Sequence, residues 1–165
     1  MRYITLFFAL FFSIQCFAND NPLWMRYPAI SPDGQTIVFS YQGDLFTVPS
    51  KGGEAKHLTI HAAYDFRPVW SPDGQSIAFA SNRYGNFDIF LIPATGGEAN
   101  RLTSYSTGEY PSCFTPDGSK VVYSATIDDV KDNVQFPSGV LSELYSVPVE
   151  GGRVEQILST PAELA

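Results

Sequence analysis

Cysteine is nearly absent from this 165-residue chain, with only Cys16 and Cys113 present. That scarcity excludes the multi-bridge framework by which small exported domains compensate for a thin core. Basic residues are also few: ten Lys and Arg stand against 17 Asp and Glu, a formal net charge of −7. Nucleic-acid binding draws its affinity from clustered Lys and Arg. Here those residues are scattered, so neither nucleic acid nor an anionic membrane surface is an expected partner. No Gly-x-Ser-x-Gly elbow and no Gly-Lys-Ser/Thr phosphate loop occurs, which removes the local signatures of two large catalytic classes. Beyond the first residues there is also no capped amphipathic stretch long enough for a useful helix.

The N-terminus has a separate logic. Met1-Arg2 is a short basic start, and Tyr3 to Ile14 is almost wholly apolar. Gln15-Cys16-Phe17-Ala18 then places small residues where a signal peptidase reads, and Asn19-Asp20-Asn21-Pro22 is polar and turn-prone. This is the layout of a cleaved secretory signal, and the apolar run is too short to span a bilayer comfortably. Gln15 is bulky where a lipoprotein signal wants a small residue, so cleavage after Ala18 is expected rather than lipidation of Cys16. Residues 1–18 are therefore read as a signal and 19–165 as the mature chain. Loss of Arg2 takes the net charge from −7 to −8, and a periplasmic or secreted location follows. Cys113 then stands alone and reads as a small buried hydrophobe in a strand.

Laying the chain on itself exposes a repeat. Ser31-Pro32-Asp33-Gly34 returns as Ser71-Pro72-Asp73-Gly74 and as Thr115-Pro116-Asp117-Gly118, at spacings of 40 and 44 residues. A Pro-led stub precedes each copy: Pro28-Ala29-Ile30, Pro68-Val69-Trp70 and Pro111 to Phe114. Alternating runs follow at 36–41, 76–81 and 120–125, then acid-led strands at 44–49, 88–93 and 143–148. A double glycine comes next (Gly52-Gly53, Gly96-Gly97, Gly151-Gly152), and Leu58-Thr59, Leu102-Thr103 or Leu158-Ser159 closes the unit.

Each feature has a cause. Proline pre-sets φ at the first central turn position, Asp bonds its own backbone, and Gly accepts positive φ. Between these turns the apolar spacing has period two, not 3.6. Four short strands per unit of roughly 40 residues predict an all-β, WD-repeat-like β-propeller. Its three four-stranded antiparallel blades fall at about 23–61, 62–105 and 106–160. The third is lengthened by a polar insert, Asp128 to Gly139, read as an exposed hairpin extension where binding functions gather. Rings close with four to eight blades, so three are expected to form part of a longer chain or of an assembly.

The stretch Trp70-Ser71-Pro72-Asp73-Gly74-Gln75-Ser76-Ile77-Ala78-Phe79-Ala80-Ser81-Asn82-Arg83-Tyr84-Gly85-Asn86-Phe87-Asp88-Ile89-Phe90 resembles the repeat of the TolB and tricorn-protease propellers. Trp24-Met25-Arg26-Tyr27-Pro28 directly after the signal, Ile92 to Ala99 and Leu141 to Pro148 lean towards exported tricorn-like proteases. The resemblance covers essentially the whole mature chain. It implies further blades, a PDZ-like domain and a serine peptidase domain in the full-length relative, with the propeller admitting and sorting peptides. None of that family's catalytic residues maps onto this sequence. TolB-like proteins place an α/β domain first, whereas the first blade here starts almost at the mature N-terminus. A TolB-like or stand-alone module for protein binding is the alternative.

The residues that could carry chemistry read as structural. His57 and His61 have helical metal-ligand spacing but flank a strand end without a third ligand. Asp33, Asp73 and Asp117 sit in turns, and Asp44, Asp88 and Glu143 open strands; such regular recurrence suits structure better than one catalytic pair. Asp128, Asp129 and Asp132 lack the pattern of a calcium loop. Trp70, Phe79 and Phe90 recur at strand positions as core fillers. No catalytic, cofactor or metal residue is therefore assigned, and peptides or proteins are the expected partners, together with the remaining blades and peptidase domain.

Overall fold

Turn chemistry sets the hairpins. In the computed structural model, which describes residues 24–126 and 142–158, the Ser71 carbonyl accepts from Gly74 N–H at 2.9 Å. The Asp73 carboxylate accepts from Ser71 Oγ at 2.5 Å and from Gln75 N–H at 3.0 Å, and Ser76 N–H donates back to Ser71 Oγ at 2.9 Å. The turns at Ser31 and Thr115 repeat this arrangement. Those bonds favour the ionised carboxylate: the Ser31 and Ser71 hydroxyls hold Asp33 and Asp73 below their ordinary value, and Thr115 and Ser119 take Asp117 to about 2.

Among the described residues the turns join twelve strands. The first sheet holds β1 (Arg26–Ile30), β2 (Thr36–Tyr41), β3 (Asp44–Pro49) and β4 (Lys56–His57). The second holds β5 (Asp65–Trp70), β6 (Ser76–Ser81), β7 (Asp88–Pro93) and β8 (Asn100–Arg101). The third holds β9 (Glu109–Phe114), β10 (Lys120–Ala125), β11 (Glu143–Pro148) and β12 (Glu155–Leu158). Each is an antiparallel meander in chain order, so three successive blades stand as the repeat predicts. The described residues contain no helix.

Two expectations shift. Leu58-Thr59 and Leu102-Thr103 do not form the outermost strands, which are the two residues just before them. Instead Leu58 N–H bonds the Leu45 carbonyl, while Thr59 Oγ1 accepts from Leu45 N–H at 2.9 Å. Leu102 and Thr103 do the same at Ile89: a hydroxyl completes the ladder where the backbone turns away. The inner strands also start earlier than their proline-led stubs, because the chain continues through a β-bulge into Arg26, Asp65 and Glu109.

The core lies between blades, not within one. Val38, Leu45 and Leu58 of the first pack against Ile77, Phe79, Phe90 and Ile92 of the second. From the opposite face of the second, Ala78 and Ile89 meet Phe114, Val121, Tyr123, Tyr145 and Val147 of the third. Large residues of β6 thus face one seam and small ones the other, which suits the close stacking of sheets. Phe79 and Phe90 are buried as expected; Trp70 is half-buried and its Nε1–H reaches the Ala29 carbonyl at 3.1 Å.

At the turn end the blades also touch through glycine. A methyl group placed on Gly74 would lie 3.6 Å from Pro32 Cδ, and one on Gly118 would lie 3.6 Å from Pro72 Cδ. Space therefore allows alanine at Gly74, but its φ of 70° does not suit an L side chain. Gly74→Ala is expected to cost about 1 kcal/mol, read as a lower thermal midpoint with an unchanged far-UV spectrum.

Candidate functional site

The three inner strands β1, β5 and β9 pack side by side, and each carries its bulge at the same place. Opposite Phe39, Phe79 and Tyr123 stand two residues each: Tyr27-Pro28, Arg67-Pro68 and Pro111-Ser112. In the first two blades the leading residue adopts a left-handed backbone, with φ of 53° at Tyr27 and 52° at Arg67. A non-glycine residue there is strained by about 1 kcal/mol or more. In the third blade proline leads instead, and its ring fixes φ near −65°, so that bulge forms without the left-handed turn.

These bulges gather an aromatic cluster from all three blades. Phe66 lies 5.4 Å from Tyr27, 4.8 Å from Phe87 and 5.9 Å from Tyr110, measured between ring centres. The Arg67 guanidinium sits 5.1 Å from the Tyr110 ring, 5.8 Å from Tyr27 and 5.9 Å from Phe66. Among the described residues it forms no ion pair. The other two arginines of the second blade differ: Arg83 pairs with Asp65 and Arg101 with Asp88, each at 2.8 Å.

Behind the cluster runs a set of buried acids that stitches the seams. Asp65 N–H donates to the Gly43 carbonyl at 2.7 Å, and Glu109 N–H to the Phe87 carbonyl at 2.8 Å. Ser40 Oγ donates to the Asp65 carbonyl, and Asn86 Nδ2 donates to the Tyr105 and Thr107 carbonyls. The side chains of Asp65, Asp88 and Glu109 are fully buried. Asp65 and Asp88 have arginines; Glu109 has none among the described residues.

Burial pushes the Glu109 carboxyl up to about 7. The nearby Thr103 hydroxyl opposes that rise, the Asp88 charge adds to it, and the Tyr105 backbone and Tyr123 hydroxyl again oppose it. Neither Glu109 oxygen is held in well-formed hydrogen-bond geometry, so burial wins. Burial likewise raises Asp88 against the pull of Arg101, and raises the Tyr123 phenol with help from the Glu109 charge.

The sequence-level candidates are dispersed over this frame. His57 packs its ring on Phe46 at 4.1 Å, while His61 Nδ1 accepts from Ala63 N–H and His61 N–H donates to Asp44 Oδ1. The two histidines serve different contacts, and among the described residues no group of three His, Cys, Asp or Glu could hold a metal. Glu143 accepts from Tyr145 Oη at 2.6 Å and Gln156 Nε2 at 2.7 Å. Asp128, Asp129, Asp132 and the rest of the insert lie outside the described residues, as does the segment read as a signal. Cys113 is exposed on β9, not buried: its counterparts Ala29 and Val69 pack into the seam with the following blade, and among the described residues no blade follows the third. A cleft of about 370 Å³ at the rim between the first two blades, bordered by Ile60, His61, Arg83 and Tyr84, has its arginine already neutralised by Asp65.

The acids at the head of β5 and β9 and the residue leading each bulge were not singled out from the sequence. A signal existed: Asp65-Phe66 and Glu109-Tyr110 both set an acid and an aromatic just before the proline-bearing bulge.

Glu109 makes stability depend on pH with a defined sign. Its folded value exceeds the unfolded one, so the folded state retains a proton that the unfolded state loses. Stability is complete below about 4.5 and declines as pH rises to about 7. Glu109→Gln is expected to remove that decline, narrowing the difference between pH 5 and pH 8 by on the order of 2 kcal/mol. Parallel denaturant titrations at the two pH values would show it.

Comparison with known proteins agrees with this architecture. Dipeptidyl-peptidase 5 from Porphyromonas gingivalis is 35% identical over 68 residues, 35% of this chain and 10% of that protein. A TolB structure from Agrobacterium tumefaciens superposes with a TM-score of 0.70 at 26% identity, over 84% of this chain and 50% of that one. The tricorn protease superposes with a TM-score of 0.56 at 16% identity, over 75% of this chain and 13% of that one, a likeness of fold. The chain spans about a tenth of the length of the curated relatives it matches. The model of the tricorn protease N-terminal β-propeller domain matches residues 22–164, and with the three meander blades in place the chain belongs to that family.

Proposed function

We propose that this chain is the propeller segment of an exported tricorn-like serine peptidase, and that it receives peptides without cleaving them. The family match over residues 22–164 carries the reading. It is supported by the aromatic and arginine cluster on the inner strands, a composition enriched where polypeptides are bound. The basic start, apolar run and Ala18 site of residues 1–18 support export to the periplasm or beyond. On this reading the parent protein supplies further blades and the peptidase domain.

A second reading has its own support. The TolB likeness at 26% identity and a TM-score of 0.70 favours a protein-binding module with no peptidase attached. The two readings agree on what the chain does by itself. Purified chain is expected to bind unstructured peptides, measured by fluorescence anisotropy, and to leave them intact by mass spectrometry. Peptide turnover that persists through repeated chromatography would overturn the non-catalytic assignment. An exported protein of the source whose single reading frame carries this propeller without a peptidase domain would favour the second reading.

A further inference from the structure

We propose that Arg67, set among rings from the inner strands β1, β5 and β9, is a carboxylate-binding subsite for extended polypeptide. The inference deepens the peptide-binding reading and rests on it.

Three observations converge. First, Arg67 is unmatched in a chain rich in acid. Asp65, two residues away in sequence, is taken by Arg83, and Asp88 by Arg101, while Arg67 makes neither an ion pair nor a hydrogen bond among the described residues. Second, its guanidinium is placed, not loose. Rings from three blades, Tyr27, Phe66 and Tyr110, lie within 5.9 Å of it. Aromatic faces attract and orient the cation while leaving its N–H edges available. Those edges match a carboxylate in bidentate geometry, the strongest common hydrogen-bonding arrangement for such a pair.

Third, the backbone at Arg67 is left-handed. Glycine would adopt that conformation without strain, yet a long cationic side chain occupies it. The same backbone recurs at Tyr27 in the first blade, so the bulge belongs to the repeat, and in the second blade it aims a cation into the shared cluster. Because the rings come from β1, β5 and β9 together, the subsite exists only when the three blades are assembled.

The ligand group is a carboxylate, and it has two polypeptide sources: an Asp or Glu side chain, or a C-terminus. Three labelled peptides on one Gly/Ser/Tyr scaffold separate them. The first has a central Glu and an amidated C-terminus. The second has Gln in its place, also amidated, and the third has Gln with a free C-terminal carboxylate. Anisotropy with the intact chain is expected to show at least one carboxylate peptide binding about tenfold tighter than the amidated Gln peptide. Which of the two does so identifies the source.

Arg67→Gly is expected to keep the thermal midpoint, since it relieves the left-handed backbone, and to erase that tenfold difference. Arg67→Asn, which also tolerates positive φ, is the second variant should glycine loosen the cluster. Equal binding of all three peptides to the unmodified chain, or a preference that survives both variants, would overturn the subsite and leave peptide binding intact. Absence of binding by every peptide would instead bring down the peptide-binding reading, and the subsite with it.

Discussion

The middle blade has no face to spare, and that constraint organises everything around it. β6 presents Ile77 and Phe79 to one neighbour and Ala78 to the other, all fully buried. A sheet apolar on both sides cannot be half-solvated as an ordinary antiparallel sheet can. It must be sandwiched, so the unit of stability is the seam between blades and not the blade. Repeat architectures behave this way in general, with stability carried by contacts between neighbours. Two seams are present, and both are closed by the same devices: an apolar layer, a backbone bond from the first residue of an inner strand, and a glycine resting on the preceding proline.

The polar part of each seam is less uniform, and there the copies diverge. Asp65 and Glu109 hold equivalent places at the head of β5 and β9. One is neutralised by an arginine from its own blade; the other holds its proton up to about pH 7 because burial disfavours its charge. An ion pair and a retained proton are two solutions to the cost of placing a carboxyl group in a low-dielectric seam. They respond differently to pH and salt, so the two seams are unequal although the ladders of the second and third blades pair in the same register. The inner bulges diverge in the same manner, with left-handed residues in two blades and a proline in the third.

The ladder of strands was legible in the sequence to the residue. The strands at 36–41, 44–49, 76–81, 88–93, 120–125 and 143–148 begin and end where the alternation does, because a Pro-Asp-Gly turn fixes the start of the first strand of each pair and a Gly-Gly turn follows the second. The inner strands were only half legible. A proline normally argues against continuing a strand, and here it sits inside a bulge, so Arg26, Asp65 and Glu109 looked like loop. Thr59 and Thr103 were visible as a motif, but their role as surrogate ladder partners depends on where a hydroxyl points. The Arg67 cluster was invisible for a deeper reason. Its rings are drawn from positions roughly forty residues apart, and only the stacking of blades brings them to one place. Cys113 illustrates the same limit, since its burial depends on whether another blade covers that face, as it does for Ala29 and Val69, and not on alternation.

The outermost strands of the first two blades are only two residues long and carry Lys56, His57, Asn100 and Arg101. A long flat edge invites another chain to extend the sheet by backbone pairing. Here the perimeter of those two blades offers too few unpaired amides for that, and the side chains on it are polar. Fibre-like growth through the edges of the first two blades is thereby discouraged. Recognition is left to side chains on the loops and inner strands, where it can discriminate among partners, instead of to main-chain pairing, which cannot.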